Sequence, residues 1–200
     1  MYTYLALGDS YTIGEQVPME ENFPYQLIRA LYKEKVELAQ PVIIAKTGWT
    51  TDELAQALRE EGIKETFDIV TLLIGVNNQY RGRDITNYEE EFTALLKQAI
   101  HFAHGAVQNV FVLSIPDWGV TPFAEGKDRK EIAQAIDLYN RAKKDIALAH
   151  KVHWLDITDS TRANGTLPDF LAADGLHPSG KEYEIWAQRL APMVVASLKG

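Results

Sequence analysis

Five short apolar runs, rich in β-branched and aromatic residues, recur along the chain and predict β-strands. They span residues 2–7, 41–45, 68–74, 109–115 and 152–157. Their nearly continuous apolar character is typical of strands that are buried on both faces, as in a parallel sheet.

Between these runs lie segments with room for helices, and the clearest are residues 23–34, 52–61, 88–103, 130–149 and 180–198. In the fourth segment, Ile132, Ile136 and Tyr139 recur at steps of three and four residues, as one buried helical face requires. Alternating strands and helices predict a mostly parallel, five-stranded sheet covered on both faces, which is a three-layer α/β/α sandwich. No repeat or linker divides the chain, so residues 1–200 are expected to form a single domain.

Two predicted helix starts carry the spacing of a capping box, Thr50 with Glu53 and Ser179 with Glu182. In a capping box, the hydroxyl and the carboxylate each bind a backbone N–H group that the helix leaves unpaired. Both starts lie beside candidate chemistry, and ligands of open α/β sheets bind at the carboxyl ends of the strands.

The composition is that of an ordinary globular protein, with 46% hydrophobic and 24% charged residues in a chain of 200. Asp and Glu number 28 against 20 Lys and Arg, a net charge of -8, and the longest basic cluster is Arg141, Lys143 and Lys144. Nucleic acid and anionic membrane surfaces are therefore poor partners for this chain. The absence of cysteine excludes disulfides, thiolate metal sites and cysteine nucleophiles.

No apolar run reaches the ~18 residues that a membrane span requires, so no membrane insertion is expected. The residues before Gly8 include no basic segment of the kind that opens a signal peptide. A cytoplasmic protein is expected, although a secreted or periplasmic protein trimmed of its signal would begin in the same way.

Gly8, Asp9 and Ser10 directly follow the first predicted strand. A serine on a glycine-hinged turn at this place presents its Oγ at the rim of the sheet, where backbone N–H groups can face an anion. Alone, the tripeptide more often forms a turn with a capping serine. No Gly-x-Ser-x-Gly sequence occurs, which excludes the nucleophile turn of ordinary α/β-hydrolases.

Asp174 and His177 stand near the other end of the chain, just before Pro178 and the last predicted helix. A carboxylate three residues from a histidine can bind its ring within one turn of chain. Asp174 would then hold Nδ1–H and leave Nε2 free to act as a general base. Alone, this spacing is more often an incidental surface pair.

Asn77 follows the most apolar predicted strand directly, in the sequence Gly75-Val76-Asn77-Asn78. A carboxamide at this place is a good N–H donor for an oxyanion, although turns also favour Asn and Gly. Gly48, after the second predicted strand, offers a backbone N–H with no side chain in the way.

These features lie at one edge of the predicted sheet, or fold back to it, and together supply a nucleophile, a base with its orienting carboxylate, and anion donors. In this combination the chain resembles the SGNH-hydrolase (GDSL esterase/lipase) family, named for the Ser, Gly, Asn and His of four sequence blocks. Two blocks follow the family pattern well, Gly8-Asp9-Ser10-x-Thr12-x-Gly14 and Asp174-x-x-His177-Pro178. The resemblance implies a flavodoxin-like sandwich of the SGNH-hydrolase type.

The resemblance also implies a role for each matched residue. Ser10 would be the nucleophile, His177 the general base and Asp174 the residue that orients it. The oxyanion hole would comprise the Ser10 N–H, the Gly48 N–H and the Asn77 side chain.

The other two blocks depart from the family pattern. Asn78 stands where the family usually has Asp, which removes a carboxylate that helps order the loop but keeps the donor at Asn77. Lys46 and Thr47 stand before Gly48, where the family usually has Asn.

Several residues near these blocks are candidates for contact with a substrate: Trp49, Asn78, Tyr80, Arg81 and Trp118. Trp118 lies on the loop after the fourth predicted strand, where exposed aromatic residues often line a pocket. His101 and His104 have no nearby carboxylate to complete a metal site, so no metal is expected.

The expected activity is hydrolysis of carboxylic esters with small or medium acyl groups, through an acyl-enzyme on Ser10 and without any cofactor. The expected partner is a small-molecule ester, and the sequence does not indicate an oligomeric state. Within the family the same site also serves thioesters, lysophospholipids and acetylated sugars. An alternative of another class is a non-catalytic binding domain on this fold. A flavodoxin-like nucleotide binder is disfavoured, because Asp9 stands where a phosphate would bind.

Overall fold

The centre of the molecule is a sheet of five strands. They are β1 (Tyr4–Asp9), β2 (Val42–Lys46), β3 (Ile69–Leu73), β4 (Val110–Leu113) and β5 (His153–Leu155). In the computed structural model, which describes residues 1–199, they lie in the order β2-β1-β3-β4-β5 and every pairing is parallel. This is the doubly wound order of flavodoxin-like folds.

The helices cover both faces of the sheet. They are α1 (Ser10–Ile13), α2 (Phe23–Lys33), α3 (Thr51–Glu61), α4 (Val76–Tyr80), α5 (Ile85–Phe102), α6 (Arg129–Ala149), α7 (Thr158–Asn164) and α8 (Gly180–Lys199). Helix α2 packs against α8, whereas α3 packs against α5 and α5 against α6. Right-handed crossovers place these two groups on opposite faces, so the predicted three-layer α/β/α fold is confirmed.

Burial follows from this layering. Every residue of β1, β3 and β4 is buried, because helices cover both sides of the inner strands. The edge strand β2 keeps Val42 and Lys46 exposed. Among the described residues, no helix is long and apolar enough to cross a bilayer.

The predicted capping boxes differ in outcome. The box at Thr50 is present, and the Thr50 N–H donates to Glu53 Oε2 over 2.9 Å. The box at Ser179 is wrong, because the Glu182 carboxylate turns inward and accepts hydrogen bonds from Asn164 and Trp186, each of 2.8 Å. Those two donors satisfy the buried Glu182 carboxylate, which a capping box would leave at the surface.

Candidate active site

The carboxyl ends of β1 and β3 lie side by side, and each leads into a short helix. Gly8 permits this close approach, since a Cβ there would lie 2.4 Å from the Leu73 carbonyl oxygen. The Asp9 carboxylate caps α1 by accepting the Tyr11 N–H over 3.0 Å. Ser10 is therefore the first residue of a helix rather than part of the predicted turn.

Ser10, from the start of the chain, forms one hydrogen-bonded chain with His177 and Asp174, from near its end. The Ser10 Oγ lies 3.0 Å from His177 Nε2, and His177 Nδ1 lies 2.6 Å from Asp174 Oδ2. Because a carboxylate only accepts hydrogen bonds, Nδ1 carries the proton of a neutral ring and Nε2 accepts the Ser10 hydroxyl. This is the arrangement that activates a serine hydroxyl.

The loop that carries Asp174 holds the carboxylate in place. Asp174 Oδ1 accepts the backbone N–H groups of Leu176 and His177, each over 3.0 Å. Partial burial opposes ionisation, but the hydrogen bonds from the His177 ring and from the two N–H groups lower the pKa of Asp174 below its ordinary value. The His177 ring also packs on Tyr11, with ring centres 5.0 Å apart.

Gly48 and Asn77 lie on two further loops beside Ser10. Gly48 has a left-handed backbone, with φ of 82°, which a residue with a side chain rarely adopts. Asn77 Nδ2 donates one hydrogen to the Trp49 carbonyl over 3.0 Å, which ties the two loops together. Both residues line the same cleft as Ser10, so the four sequence blocks meet at one place.

The cleft above Ser10 has a volume of about 180 Å³ and is mainly apolar. Its lining comprises Ser10, Tyr11, Thr47, Gly48, Val76, Asn77, Tyr80, Trp118, Phe123, Leu176 and His177. Tyr80, Trp118 and Phe123 form an aromatic wall, with ring centres 5.2 to 6.3 Å apart. Gln79, a buried residue that the sequence did not single out, orients Trp118 by accepting its Nε1–H over 2.8 Å.

Three of the predicted substrate contacts lie elsewhere. Asn78 is completely buried, so the prediction that it contacts a substrate is wrong. Arg81 is not part of the cleft lining, and its guanidinium donates to the Gly48 carbonyl over 2.6 Å. Trp49 packs its side chain against the core. Arg81 therefore holds the Gly48 loop, and its contact with a substrate stays a prediction.

Two ionisable residues near this site, Asp9 and Lys143, are buried. Lys143 is completely buried and donates from Nζ to the Ile74 carbonyl over 3.0 Å. Burial lowers the pKa of Lys143 to about 7, against the attraction of Asp9, and burial raises the pKa of Asp9 to about 7. The sequence spacing could have predicted the burial of Lys143, because Lys143 lies on the same helical face as the apolar residues Ile136 and Tyr139.

Other parts of the described chain are less suited to chemistry. A groove of about 640 Å³ lies between α2 and α8, but its lining contains no serine and no histidine. Within residues 1–199, no three His, Asp or Glu side chains come together as a group that could hold a metal ion.

Comparisons with known proteins agree with this geometry. The model of the GDSL-like Lipase/Acylhydrolase family matches residues 6–185. The chain is 22% identical over 220 aligned positions to the spore germination lipase LipC of Bacillus licheniformis, and the alignment covers 98% of each protein.

Solved structures of similar fold include two hydrolases. The acetylxylan esterase Axe2 from Geobacillus stearothermophilus has a TM-score of 0.75 at 20% identity, with 96% of this chain and 94% of that one covered. The lipase/acylhydrolase from Enterococcus faecalis has a TM-score of 0.72 at 23% identity, with 100% and 96% covered. These likenesses establish the fold, whereas the family match spans both the Ser10 and the His177 blocks. The chain thus belongs to the GDSL-like lipase/acylhydrolase family of hydrolases.

Proposed function

We propose that this hydrolase is a serine esterase that cleaves carboxylic esters with small or medium acyl groups. The observation that carries the proposal is the hydrogen-bonded chain from Asp174 through His177 to Ser10, at the floor of an apolar cleft. A nucleophile within reach of an oriented base is the arrangement that acyl transfer requires.

In the first half of the reaction, His177 Nε2 takes the proton of the Ser10 hydroxyl while Oγ attacks the ester carbonyl carbon. Asp174 stabilises the imidazolium that forms, because its carboxylate accepts the Nδ1–H. His177 then gives the proton to the departing alkoxide oxygen, which leaves as an alcohol. Ser10 remains as an acyl ester.

The negative oxygen of the tetrahedral intermediate needs N–H donors within hydrogen-bond reach. We assign the Ser10 and Gly48 backbone N–H groups and the second Nδ2 hydrogen of Asn77 to this task. The Arg81 bond to the Gly48 carbonyl and the Asn77 bond to the Trp49 carbonyl fix the donors before a substrate arrives. Donors fixed in advance need no reorganisation when the charge develops.

In the second half, a water molecule takes the place of the alcohol. His177 accepts a proton from the water, the resulting hydroxide attacks the acyl carbon, and Ser10 Oγ leaves with the proton returned by His177. The released products are a carboxylic acid and the free enzyme. Every step uses groups of this chain, and the proposal includes no metal or organic cofactor.

The cleft supports the range of acyl groups in the proposal. Its volume of about 180 Å³ is below the ~300–1,000 Å³ of typical ligand pockets. The aromatic wall of Tyr80, Trp118 and Phe123 offers apolar surface to an acyl chain, and Tyr80 and Phe123 are half-exposed at its mouth. We therefore assign Tyr80 and Trp118 to the acyl group.

The test is hydrolysis of p-nitrophenyl acetate, butyrate and octanoate by the wild type and by Ser10→Ala. We expect Ser10→Ala to lose turnover while its circular dichroism and urea midpoint stay at wild-type values. Ser197→Ala, at the far end of α8, is the matched control and should keep full activity. An active Ser10→Ala variant would refute the proposal.

The same assay separates the competing activities. Thioester analogues and acetylated xylosides, tested beside the p-nitrophenyl esters, would reveal a thioesterase or a sugar O-acetyl esterase. No turnover of any ester by the wild type would favour a binding domain that carries the residues of a hydrolase. A cytoplasmic location stays a prediction, which fractionation of producing cells would test.

A further inference from the structure

A second hydrogen-bonded chain runs behind the proposed oxyanion hole and joins three helices. Asn78 of α4 binds Thr51 of α3 twice: its Oδ1 accepts the Thr51 N–H over 3.1 Å, and its Nδ2 lies 2.6 Å from Thr51 Oγ1. The Thr51 hydroxyl in turn contacts Glu91 Oε2 on α5. Asn78 and Thr51 are completely buried.

The donor and acceptor groups of Asn78, Thr51 and Glu91 determine the direction of each hydrogen bond that joins them. The Glu91 carboxylate only accepts, so the single hydroxyl hydrogen of Thr51 points to Glu91. Thr51 Oγ1 is then left as an acceptor, and the group facing it at position 78 must be a donor. An amide satisfies this requirement, and an ionised carboxylate does not.

We infer that Asn78 and Glu91 are a matched pair of positioning residues that hold the oxyanion donors through Thr51. Thr51 begins α3, three residues after Gly48, and Asn78 follows Asn77 on α4. The Asn78–Thr51 bonds therefore fix the two loops that carry the proposed donors relative to each other. This inference rests on the proposed function, since the donors act only if an oxyanion forms.

The pairing gives Glu91 a role and also accounts for Asn at position 78, where the family usually has Asp. With Asp at position 78, two carboxylates would compete for the one hydroxyl hydrogen of Thr51. The Thr51 N–H would still bind one oxygen at position 78, but one further carboxylate oxygen would lack a donor and lie beside a like charge.

The test is a set of variants assayed for kcat and KM on p-nitrophenyl acetate, together with their urea midpoints. We expect Asn78→Asp to lower kcat about tenfold, with KM changed less than about twofold, because it displaces donors that act in the transition state. Glu91→Gln alone should stay near wild type, because the introduced amide oxygen still accepts the Thr51 hydroxyl.

The double variant is the decisive one. When Asn78→Asp is combined with Glu91→Gln, the direction of the hydrogen bonds through Thr51 can reverse. The new amide on α5 would donate to the Thr51 hydroxyl oxygen, and the Thr51 hydroxyl would donate to the new carboxylate on α4. We expect its kcat to return to within about threefold of the wild type. Glu90→Gln in the Asn78→Asp background is the matched control, because Glu90 is an exposed carboxylate one residue away, and it should not rescue.

Each result bears on the pairing. Full activity of Asn78→Asp would overturn it. It would also be overturned if Glu91→Gln and Glu90→Gln restored the kcat of Asn78→Asp equally, or if neither restored it. If the wild type hydrolyses no ester, the proposed function fails, but the urea midpoints still test the pairing. A midpoint lowered by Asn78→Asp and restored only by Glu91→Gln would support the pair.

Discussion

Asn77 uses one of its amide hydrogens on the Trp49 carbonyl and has a second that is available to the cleft. Asn77→Ala removes the donor that we assign to the charge formed in the transition state. We expect kcat on p-nitrophenyl acetate to fall by ~10²–10³ while KM changes little, since the ground-state carbonyl needs this bond less.

The control for this prediction is Asn87→Ala, which changes an exposed asparagine on α5. It should leave both kinetic constants at wild-type values. A loss at Asn77→Ala that appeared mainly in KM would contradict the assignment, because it would indicate uniform binding of substrate and transition state.

Tyr80 is half-exposed in the aromatic wall, so its removal should affect acyl selectivity more than folding. We expect Tyr80→Ala to lower the ratio of kcat/KM for octanoate over acetate about tenfold, because it exposes about two methylene groups worth ~0.8 kcal/mol each. Tyr32→Ala, an exposed tyrosine far from the cleft, should leave the ratio unchanged. An unchanged ratio in Tyr80→Ala would show that the acyl group does not contact this wall.

At the residue scale, the sequence predicts which side chains are reactive better than it predicts which side chains they contact. Ser10, Asp174 and His177 were identifiable because each combines a reactive side chain with a strand end or a close partner. Asn78 was misassigned because it shares a segment with Asn77, and only packing shows that it is completely buried. Side-chain direction within a short helix depends on its neighbours, which sequence spacing does not reveal.

At the scale of elements, length decides what the sequence can predict. All five strands and the five long helices were predicted, because each extends over enough residues for its apolar pattern to be visible. The helices α1, α4 and α7 were not, since four to seven residues show too little periodicity. Two of these three carry Ser10 and Asn77, so the site lies on the elements that the sequence indicates least.

The N-terminus of helix α5 allows the contribution of a single helix cap to the stability of the fold to be measured. Its N-cap is Asp84, whose Oδ1 accepts the N–H groups of Thr86 and Asn87 over 2.9 and 3.1 Å. We expect Asp84→Ala to lower the free energy of unfolding by about 1 kcal/mol in urea titrations, the usual cost of losing a cap. Asp145→Ala, an exposed position inside α6, should change it by less than about 0.5 kcal/mol. Equal effects of the two variants would show that the cap is not the cause.

At the scale of the whole molecule, the buried Lys143 links the fold to pH. Its pKa is lowered to about 7 in the folded chain, against about 10.4 when unfolded, because burial disfavours the charged form. Between these values the unfolded state binds more protons, so this group makes the free energy of unfolding rise with pH. Below about pH 7 both states are protonated and its contribution is constant.

Lys143→Met isolates this contribution, because methionine fills a similar apolar space and carries no proton. The slope from one such group is at most about 1.4 kcal/mol per pH unit. We therefore expect the wild type to gain about 2 kcal/mol in the free energy of unfolding from pH 7 to pH 9, relative to Lys143→Met. Loss of the lysine charge would also raise the pKa of Asp9 further. This change would lower the free energy of unfolding of Lys143→Met as pH rises, so it adds to the expected difference between the two proteins. The control is Lys144→Met, which changes the exposed neighbour on α6 and should follow the wild-type dependence of the free energy of unfolding on pH. Parallel curves for all three proteins would mean that Lys143 stays charged in the folded chain.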